Sequence, residues 1–468
     1  MMNHYDTICA IATALSPAGI GIIRVSGDKA IEIVSAIFVN KNKQKIDIKE
    51  THKIHYGFIF DDKKNEFIDE VLVLTMLKPR SYTMEDVIEI HCHGGLVVLK
   101  NILDLLVDRG ARIAEPGEFT KRAFLNGRID LSKAESVSDI IMSKNNYALK
   151  ASFNQLKGNL SDKLNSFREK ILESTAFIEA CLDDPEHMSV DGFKPKLKIQ
   201  CENIIKELDK IIDNYSNGKI IKEGINTVIL GKPNVGKSSL LNTLLNEDRA
   251  IVTDIAGTTR DTIKESINLN GITLNIIDTA GIRDEKNLDT VEKIGIDRAK
   301  AEAEVSDLII LVLDASTPLD KDDEELINLC KSLNKKTITL LNKIDLATSR
   351  TGECLQSPRT GELREPILFS TKTKAGLPEL LSTIEKMFIN KELDFNNEIF
   401  ISNERQLQSI KNAKSSLQNV LTSIDKDMPE DLLTIDLTDA YTHLSQVLGI
   451  EVTDDLVNEI FSKFCMGK

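Results

Sequence analysis

The stretch Gly231-Lys232-Pro233-Asn234-Val235-Gly236-Lys237-Ser238-Ser239 fits the pattern G-x-x-x-x-G-K-[ST], with Gly231, Gly236, Lys237 and Ser238 at its fixed places. An apolar run, 228–230, precedes it and a helix-like run, 238–246, follows. Glycines let backbone N–H groups turn inward around phosphate oxygens, and the N-terminus of the next helix adds positive potential. Asn234, Val235, Gly236, Lys237, Ser238 and Ser239 would surround the phosphates, with Lys237 reaching the β- and γ-phosphates and Ser238 holding Mg2+. Asp278-Thr279-Ala280-Gly281 follows the apolar run 272–277. An aspartate there can hold Mg2+ through water, and the glycine N–H can meet the γ-phosphate. Asn342-Lys343-Ile344-Asp345 closes the run 337–341. A carboxylate at that place can accept from N1–H and the exocyclic amine of guanine, whereas adenine would leave it unpaired, so the tetrapeptide points to GTP rather than ATP.

Ser370-Thr371-Lys372 stands where GTPases usually carry Ser-Ala-Lys, and the change to Thr371 is mild because that loop works through backbone N–H. Each motif alone is compatible with an ordinary strand end and turn; all of them in order, at the spacing of one α/β domain, argue against that bland reading. Ras-like switches place a water-orienting Gln directly after the DTAG turn, but this chain has Ile282, which can neither orient water nor stabilise charge. Polar groups must then come from elsewhere. Asn234 could bind a monovalent cation such as K+ beside the phosphates. Gly257-Thr258-Thr259-Arg260-Asp261 could be a first switch, with a threonine hydroxyl on Mg2+ and backbone carbonyls on the second cation. Glu292, on a helix expected over 289–303, could orient water, or simply be a solvated carboxylate on a helix face.

These motifs need a scaffold, and the composition allows one. At 468 residues the chain has room for about three domains. Charged residues make up 28% and apolar ones 41%, as in ordinary globular proteins. The net charge of −14 rules out a global field drawing the chain to nucleic acid or anionic membrane, so any RNA contact must be local or supplied by a partner. Seven scattered cysteines without a C-x-x-C suggest reduced thiols in a cytoplasmic setting. The start lacks the basic and apolar regions of a signal peptide, and no apolar stretch is long enough to span a membrane.

Residues 1–122 read as α+β, with strands expected at 7–12, 19–26, 71–77 and 87–93 and a helix at 97–107. Residues 123–219 read as helical: Ser132-Lys133-Ala134-Glu135 fits a capping box opening a long helix, and Leu197, Cys201, Ile204, Ile205, Leu208, Ile211 and Ile212 form an apolar stripe at helical spacing. Strands alternate with helices over 220–388, as a doubly wound, mostly parallel sheet requires, with a polar surface loop at 347–366. Residues 389–468 are helical again, so the nucleotide domain is expected as an insertion in one helical domain built from both flanks. Glu89, His91 and His93 share one strand face; the two histidines could bind zinc, but no further ligand stands at metal spacing, and a polar face lining a pocket is the better reading. The segment 115–127 could recognise a polyanionic small molecule or serve as a linking turn. Cys465, four from the end, could be a reactive thiol or an idle one; Gly467 and Lys468 do not suit prenylation.

Taken together, DTICAIAT, GIGIIRVSG, PRSYTMEDVIEIHCHGG, EPGEFTKRAFLNGRIDLSKAE, the GTPase motifs with IVTDIAGTTRD and DTAGIR, and the FCMGK tail resemble the MnmE (TrmE) family of tRNA-modification GTPases over nearly the whole chain. Met466 and Met84 depart from the family's usual aliphatic residue and glycine. The resemblance implies an N-terminal domain that forms a homodimer and binds a tetrahydrofolate derivative, 5-formyl or 5,10-methylene, with Arg24, Glu70, Lys121 and Arg122 as expected contacts. It implies an FAD-containing partner, MnmG, with which the family modifies carbon 5 of the wobble uridine in tRNA. It implies K+ on Asn234, Thr253, Ile255 and Thr258, Mg2+ on Ser238 and Thr259, and catalytic roles for Lys237, Thr259 and Glu292 in hydrolysis and for Cys465 in modification. A GTPase switch in ribosome assembly is the alternative, weakened by the absence of a basic RNA-binding tract; a membrane-attached GTPase is a third reading.

Overall fold

The computed structural model describes residues 6–184, 186–187, 189, 192–247, 265–269, 271–277, 301–346, 365–388, 398–464 and 467. The chain forms two compact units, each gathered from separate stretches: 1–141, 155–206 and 408–468 in the first, and 142–154 and 207–407 in the second.

The first unit holds a seven-stranded sheet of β1 (Ile8–Ile11), β2 (Ala18–Ser26), β3 (Phe38–Val39), β4 (Lys53–Asp61), β5 (Glu66–Met76), β6 (Val87–Gly94) and β7 (Arg112–Ile113), in the order β3-β4-β5-β6-β2-β1-β7. All pairings are antiparallel except β1 with β7. Alternation decides the faces. Ile23 and Val25, Val71 and Val73, and Ile88, Ile90 and Cys92 are buried in one cluster with α1 (Ala30–Ile37) and α2 (Leu96–Asp108). The opposite face carries Arg24, Leu72, Glu89 and His91, aligned across strands by the register. The expected strands and helix stand within a few residues of their sequence positions; β4 was not anticipated, because Gly57 interrupts its pattern and its outward face, Ile54 and Tyr56, is apolar and exposed.

One end of that face is closed by α3 (Glu118–Leu125), through Phe119 on Ile8 and Ala10. Beneath it lies a charged cluster. Arg122, only 8% exposed, donates to Asp6, Glu85 and Glu118, and Arg112 also bonds Asp6 and Glu118. Burial would raise the carboxyls of Asp6 and Glu118, but hydrogen bonds from the two arginines outweigh it and hold both below their ordinary values. Their stabilising contribution is therefore complete above an ordinary carboxylate pKa of about 4 and is lost as pH falls through the lower folded-state values. Arg122→Met should cost about 3 kcal/mol at neutral pH, because it strands buried carboxylates. That penalty should shrink below about pH 4, where the carboxyls can protonate. Urea unfolding of the full chain at the two pH values checks this; a penalty independent of pH would refute the assignment.

The helices of the first unit come from both flanks of the second unit's long stretch, 207–407. Beside α1 to α3 they are α4 (Leu131–Ile141), α6 (Asn159–Asp183), α7 (Phe193–Asp213), α12 (Glu404–Asp425), α13 (Glu430–Leu448) and α14 (Asp454–Ser462), of which α7 and α12 are shared with the second unit; α5 (Asn146–Lys157) belongs to the second unit up to residue 154. α6 buries Leu160, Leu164, Phe167, Ile171 and Ile178 and lies along α13, which buries Leu433, Leu437, Ala440, Leu444 and Val447. Leu131 and Ala134 share a cluster with Val457, Phe461 and Phe464 from the far end of the chain. The stripe on α7 is buried at Leu197, Cys201, Ile204, Leu208 and Ile211. The expected capping box at Ser132 is not what opens α4, and α4 has only 11 residues. Asp130 accepts from the Lys133 N–H and from the Ser132 and Ser161 hydroxyls, so a carboxylate two residues earlier outcompetes the serine. No helix among the described residues is long and apolar enough to cross a membrane.

The second unit is built on a six-stranded sheet in the order β13-β12-β11-β8-β10-β9, comprising β8 (Ile225–Leu230), β9 (Glu265–Leu269), β10 (Ile272–Ile276), β11 (Leu308–Asp314), β12 (Lys336–Asn342) and β13 (Ile367–Leu368). Every pairing is parallel except β9 with β10. The inner strands are buried on both faces: Leu308, Ile310 and Val312 enter one core, and Ile309, Leu311 and Leu313 the other. Among the described residues, helices α8 (Tyr215–Glu223), α9 (Lys237–Glu247), α10 (Lys321–Ser332) and α11 (Leu377–Phe388) also belong to the unit. Residues 142–154 group here because buried Asn145 donates to Ile221 O and Thr273 Oγ1, and Ala148 packs with Ile221 and Phe400.

Candidate functional site

The phosphate loop leaves the C-terminal end of β8, at the centre of the sheet, and runs into α9. Ligands of open α/β sheets bind at that edge. Gly231 sits at φ +153° with Val312 O where a side chain would begin, and Gly236 at φ +102° faces the Asn342 amide equally closely. Asn234 adopts φ +63°, which asparagine tolerates, and stays exposed. Val235 is buried and anchors the loop in the core. Lys237 opens α9, Ser238 and Ser239 follow in its first turn, and the Lys237 ammonium donates to Lys232 O at 2.8 Å, within its own loop.

The turn after β12 is tied to this loop by one amide. Asn342, at the end of β12 and 1% exposed, donates through Nδ2 to Val235 O at 2.8 Å and accepts at Oδ1 from Thr371 N–H at 3.2 Å. Asp345 is exposed, and its Oδ1 accepts from the buried Ser370 hydroxyl at 2.7 Å. Ser370 also accepts from Thr373 N–H, which folds the 370–373 turn beneath the carboxylate. Lys343, at φ +67°, donates to Asp314 at 2.7 Å. Burial works against the charge on Asp314, but Lys343 and the Ser316 hydroxyl and N–H outweigh it and hold its carboxyl below the ordinary value. Lys372 is exposed on the same turn. The structure thus brings Asn234 to Ser239, Asn342, Lys343, Asp345 and Ser370 to Lys372 to one edge of one sheet. Thr253, Ile255, Thr258, Thr259, Asp278, Thr279, Ala280, Gly281 and Glu292 lie outside the described residues, as does Cys465.

In the first unit the four residues expected at folate have separate partners. Arg24 bonds Glu89 and Gly467 O and lies over the rings of Tyr82 and Phe119. Glu70 accepts from Tyr56 OH, Lys121 donates to Asn458, and Arg122 belongs to the cluster with Asp6, Glu85 and Glu118. Arg24 and Arg122 approach the same end of the sheet, since Ser26, two residues beyond Arg24 on β2, bonds Glu85. Glu85 and Asp6 escaped sequence reading, because nothing in the linear order marks residues so distant as partners of Arg122. Gly467 packs on Ile11 O, which brings the chain's tail to the end of β1. His93 is held by Asp69 through both its N–H and its ring Nδ1, and hydrogen bonding to that carboxylate raises its pKa. Among the described residues no group of three or more His, Cys, Asp or Glu could hold a metal ion.

Comparison with known proteins matches the chain in two blocks: a GTP-binding protein TrmE N-terminus over residues 7–128, and an MnmE helical domain over 131–465. A protein of Lachnoclostridium phytofermentans described as tRNA modification GTPase MnmE is 52% identical over 466 residues, 99% of each chain. One of Acetivibrio thermocellus with the same description is 48% identical over 100% of both, and one of Enterococcus faecalis is 43% identical over 99% of both. Matched over its whole length at this level of identity, the chain belongs to the MnmE (TrmE) family of tRNA modification GTPases.

Proposed function

We propose that the chain is a K+-stimulated GTPase whose hydrolytic cycle drives modification of carbon 5 of the wobble uridine in tRNA. The observation that carries this is Asn342, which joins a phosphate loop and a guanine-reading turn in one site, in a chain that MnmE relatives match end to end. GTP would lie along the edge from Gly236 to Asp345, with Mg2+ on Ser238 and Thr259. Asn234 stands exposed at the loop's tip, as a ligand to K+ must, and Thr253, Ile255 and Thr258 would complete that cage. The cation would neutralise charge developing on the phosphates while Glu292 orients water.

The uridine chemistry would take place in the first unit, with an FAD-containing MnmG-type partner. A tetrahydrofolate derivative would supply the one-carbon unit there, and Cys465 would serve the modification itself. Arg24 offers a guanidinium between two aromatic rings, which suits a flat, anionic ligand, with Lys121 as a second cation. Glu70 and Arg122 would border the same ligand. A homodimer is supported by the sheet face away from α1 and α2, where Ile54, Tyr56 and Leu72 are 66%, 59% and 43% exposed side by side. The division 1–122, 123–219, 220–388 and 389–468 assigns folate and dimer contacts, helical support, GTP and the tail in turn.

Nucleoside analysis of tRNA from cells lacking the protein tests the reading. Loss of the carbon-5 modification is expected, and an intact wobble uridine would instead favour a ribosome-assembly switch. With purified protein, GTP turnover should rise about tenfold or more when K+ replaces Na+; equal rates in the two salts would remove the cation from the mechanism.

A further inference from the structure

The second residue of the phosphate loop is held by a group outside the GTPase motifs. Lys232, with a side chain 20% exposed, sends its ammonium to Asp320 Oδ2 at 2.5 Å and Asp323 Oδ2 at 2.8 Å. Asp320 caps α10, accepting from the N–H groups of Asp322 and Asp323, and Asp323 completes the reciprocal bond to Asp320 N–H. Asp323 is 3% exposed, and its other oxygen, Oδ1, is buried without a hydrogen-bond partner among the described residues. Lys232 is the only cation within ion-pair distance of it among those residues. Most of the drive to keep Lys232 in place therefore comes from the cost of leaving that carboxylate alone.

The same residue is fixed from two other sides. Gly231 leaves no room between the loop and Val312 O, and Lys232 O receives the Lys237 ammonium. The strap from β11 to α10 carries two anchors of the nucleotide site: Asp314 at its start holds Lys343, two residues before Asp345, and Asp320 and Asp323 at its end hold the phosphate loop.

We propose that Lys232, Asp320 and Asp323 are positioning residues for triphosphate binding, clamping the entry of the phosphate loop to the N-terminus of α10 so that Lys237 and the loop N–H groups are preset for phosphate. The inference rests on the nucleotide reading given above. None of the three residues needs to touch the nucleotide; their effect runs through the loop backbone.

Titration of the full chain with GTP, beside its thermal melting, tests the clamp. Lys232→Met should weaken GTP roughly tenfold or more without changing the preference for GTP over ATP, which Asp345 reads at the other end. Lys232→Arg, whose fork can reach both carboxylates, should stay within about threefold of wild type. The double variant Lys232→Met with Asp323→Asn removes the stranded charge and should recover melting temperature but not GTP affinity. Affinity that returns along with melting temperature in the double variant would show a purely structural pair and overturn the proposal. So would a Lys232→Met chain that binds GTP as wild type does. If the wild-type chain itself fails to bind GTP, the nucleotide reading falls and takes the clamp with it, a result distinct from a defect confined to the variants.

Discussion

Asp345→Asn should lower GTP affinity about a thousandfold, roughly 4 kcal/mol, and create affinity for xanthosine triphosphate. The carboxylate lies exposed in the turn after β12 and is held by Ser370, so the substitution leaves the core untouched. Guanine presents two donors, N1–H and the exocyclic amine, to two acceptor oxygens. Asparagine keeps one acceptor and turns a donor toward a donor, losing a charge-assisted pair and leaving a polar group unmatched. Xanthine carries a carbonyl where guanine carries the amine and restores the match. Calorimetric titration with both nucleotides reads the exchange. GTP affinity kept within about threefold, or no gain for the xanthine nucleotide, would remove base reading from Asp345.

What the sequence reveals and what it hides follow from how local each signal is. The inner strands of the nucleotide sheet stand out because burial on both faces demands unbroken apolar runs, as in Ile309 to Leu313. The phosphate loop and the Asn342 turn are legible because backbone geometry and base chemistry fix residue types over a few positions. The helical assembly is legible as helices, yet the pairing of α6 with α13 is not, since an apolar stripe does not name its partner. Asn145 gives no signal at all: a buried amide joining Ile221 and Thr273 looks in sequence like any polar residue between helices. The charges around Arg122 fail in part for the same reason: Glu118 stands four residues before it on one helix, a local pairing, whereas Asp6 and Glu85 meet it only after folding. The error at α4 is of another kind. The capping-box pattern points to Ser132, but the carboxylate of Asp130, two residues earlier, takes the Lys133 N–H together with the Ser132 and Ser161 hydroxyls.

That Asn342 bridge makes Gly236 the most sensitive point in the loop. Gly236→Ala should abolish most GTP binding, by several hundredfold or about 3 to 4 kcal/mol, while hardly moving the melting temperature. Two costs coincide there. At φ +102° an alanine is strained whatever space surrounds it. Its methyl would also press into the Asn342 amide, the group that donates to Val235 O and accepts from Thr371 N–H. The chain can escape by relaxing the loop or by displacing Asn342. Either way the phosphate cradle and the base-reading turn lose their common support, so affinity falls for GTP and GDP alike. Since the strain falls where the loop meets Asn342 and not between the strands, the relaxed fold keeps its strand cores and most of its stability. Titration with both nucleotides beside a melting curve distinguishes the outcomes. Nucleotide affinity close to that of the unaltered chain would show that the close approach of Gly236 and Asn342 has no part in binding. An equal fall in stability would mean that the bridge supports the sheet itself and not the site.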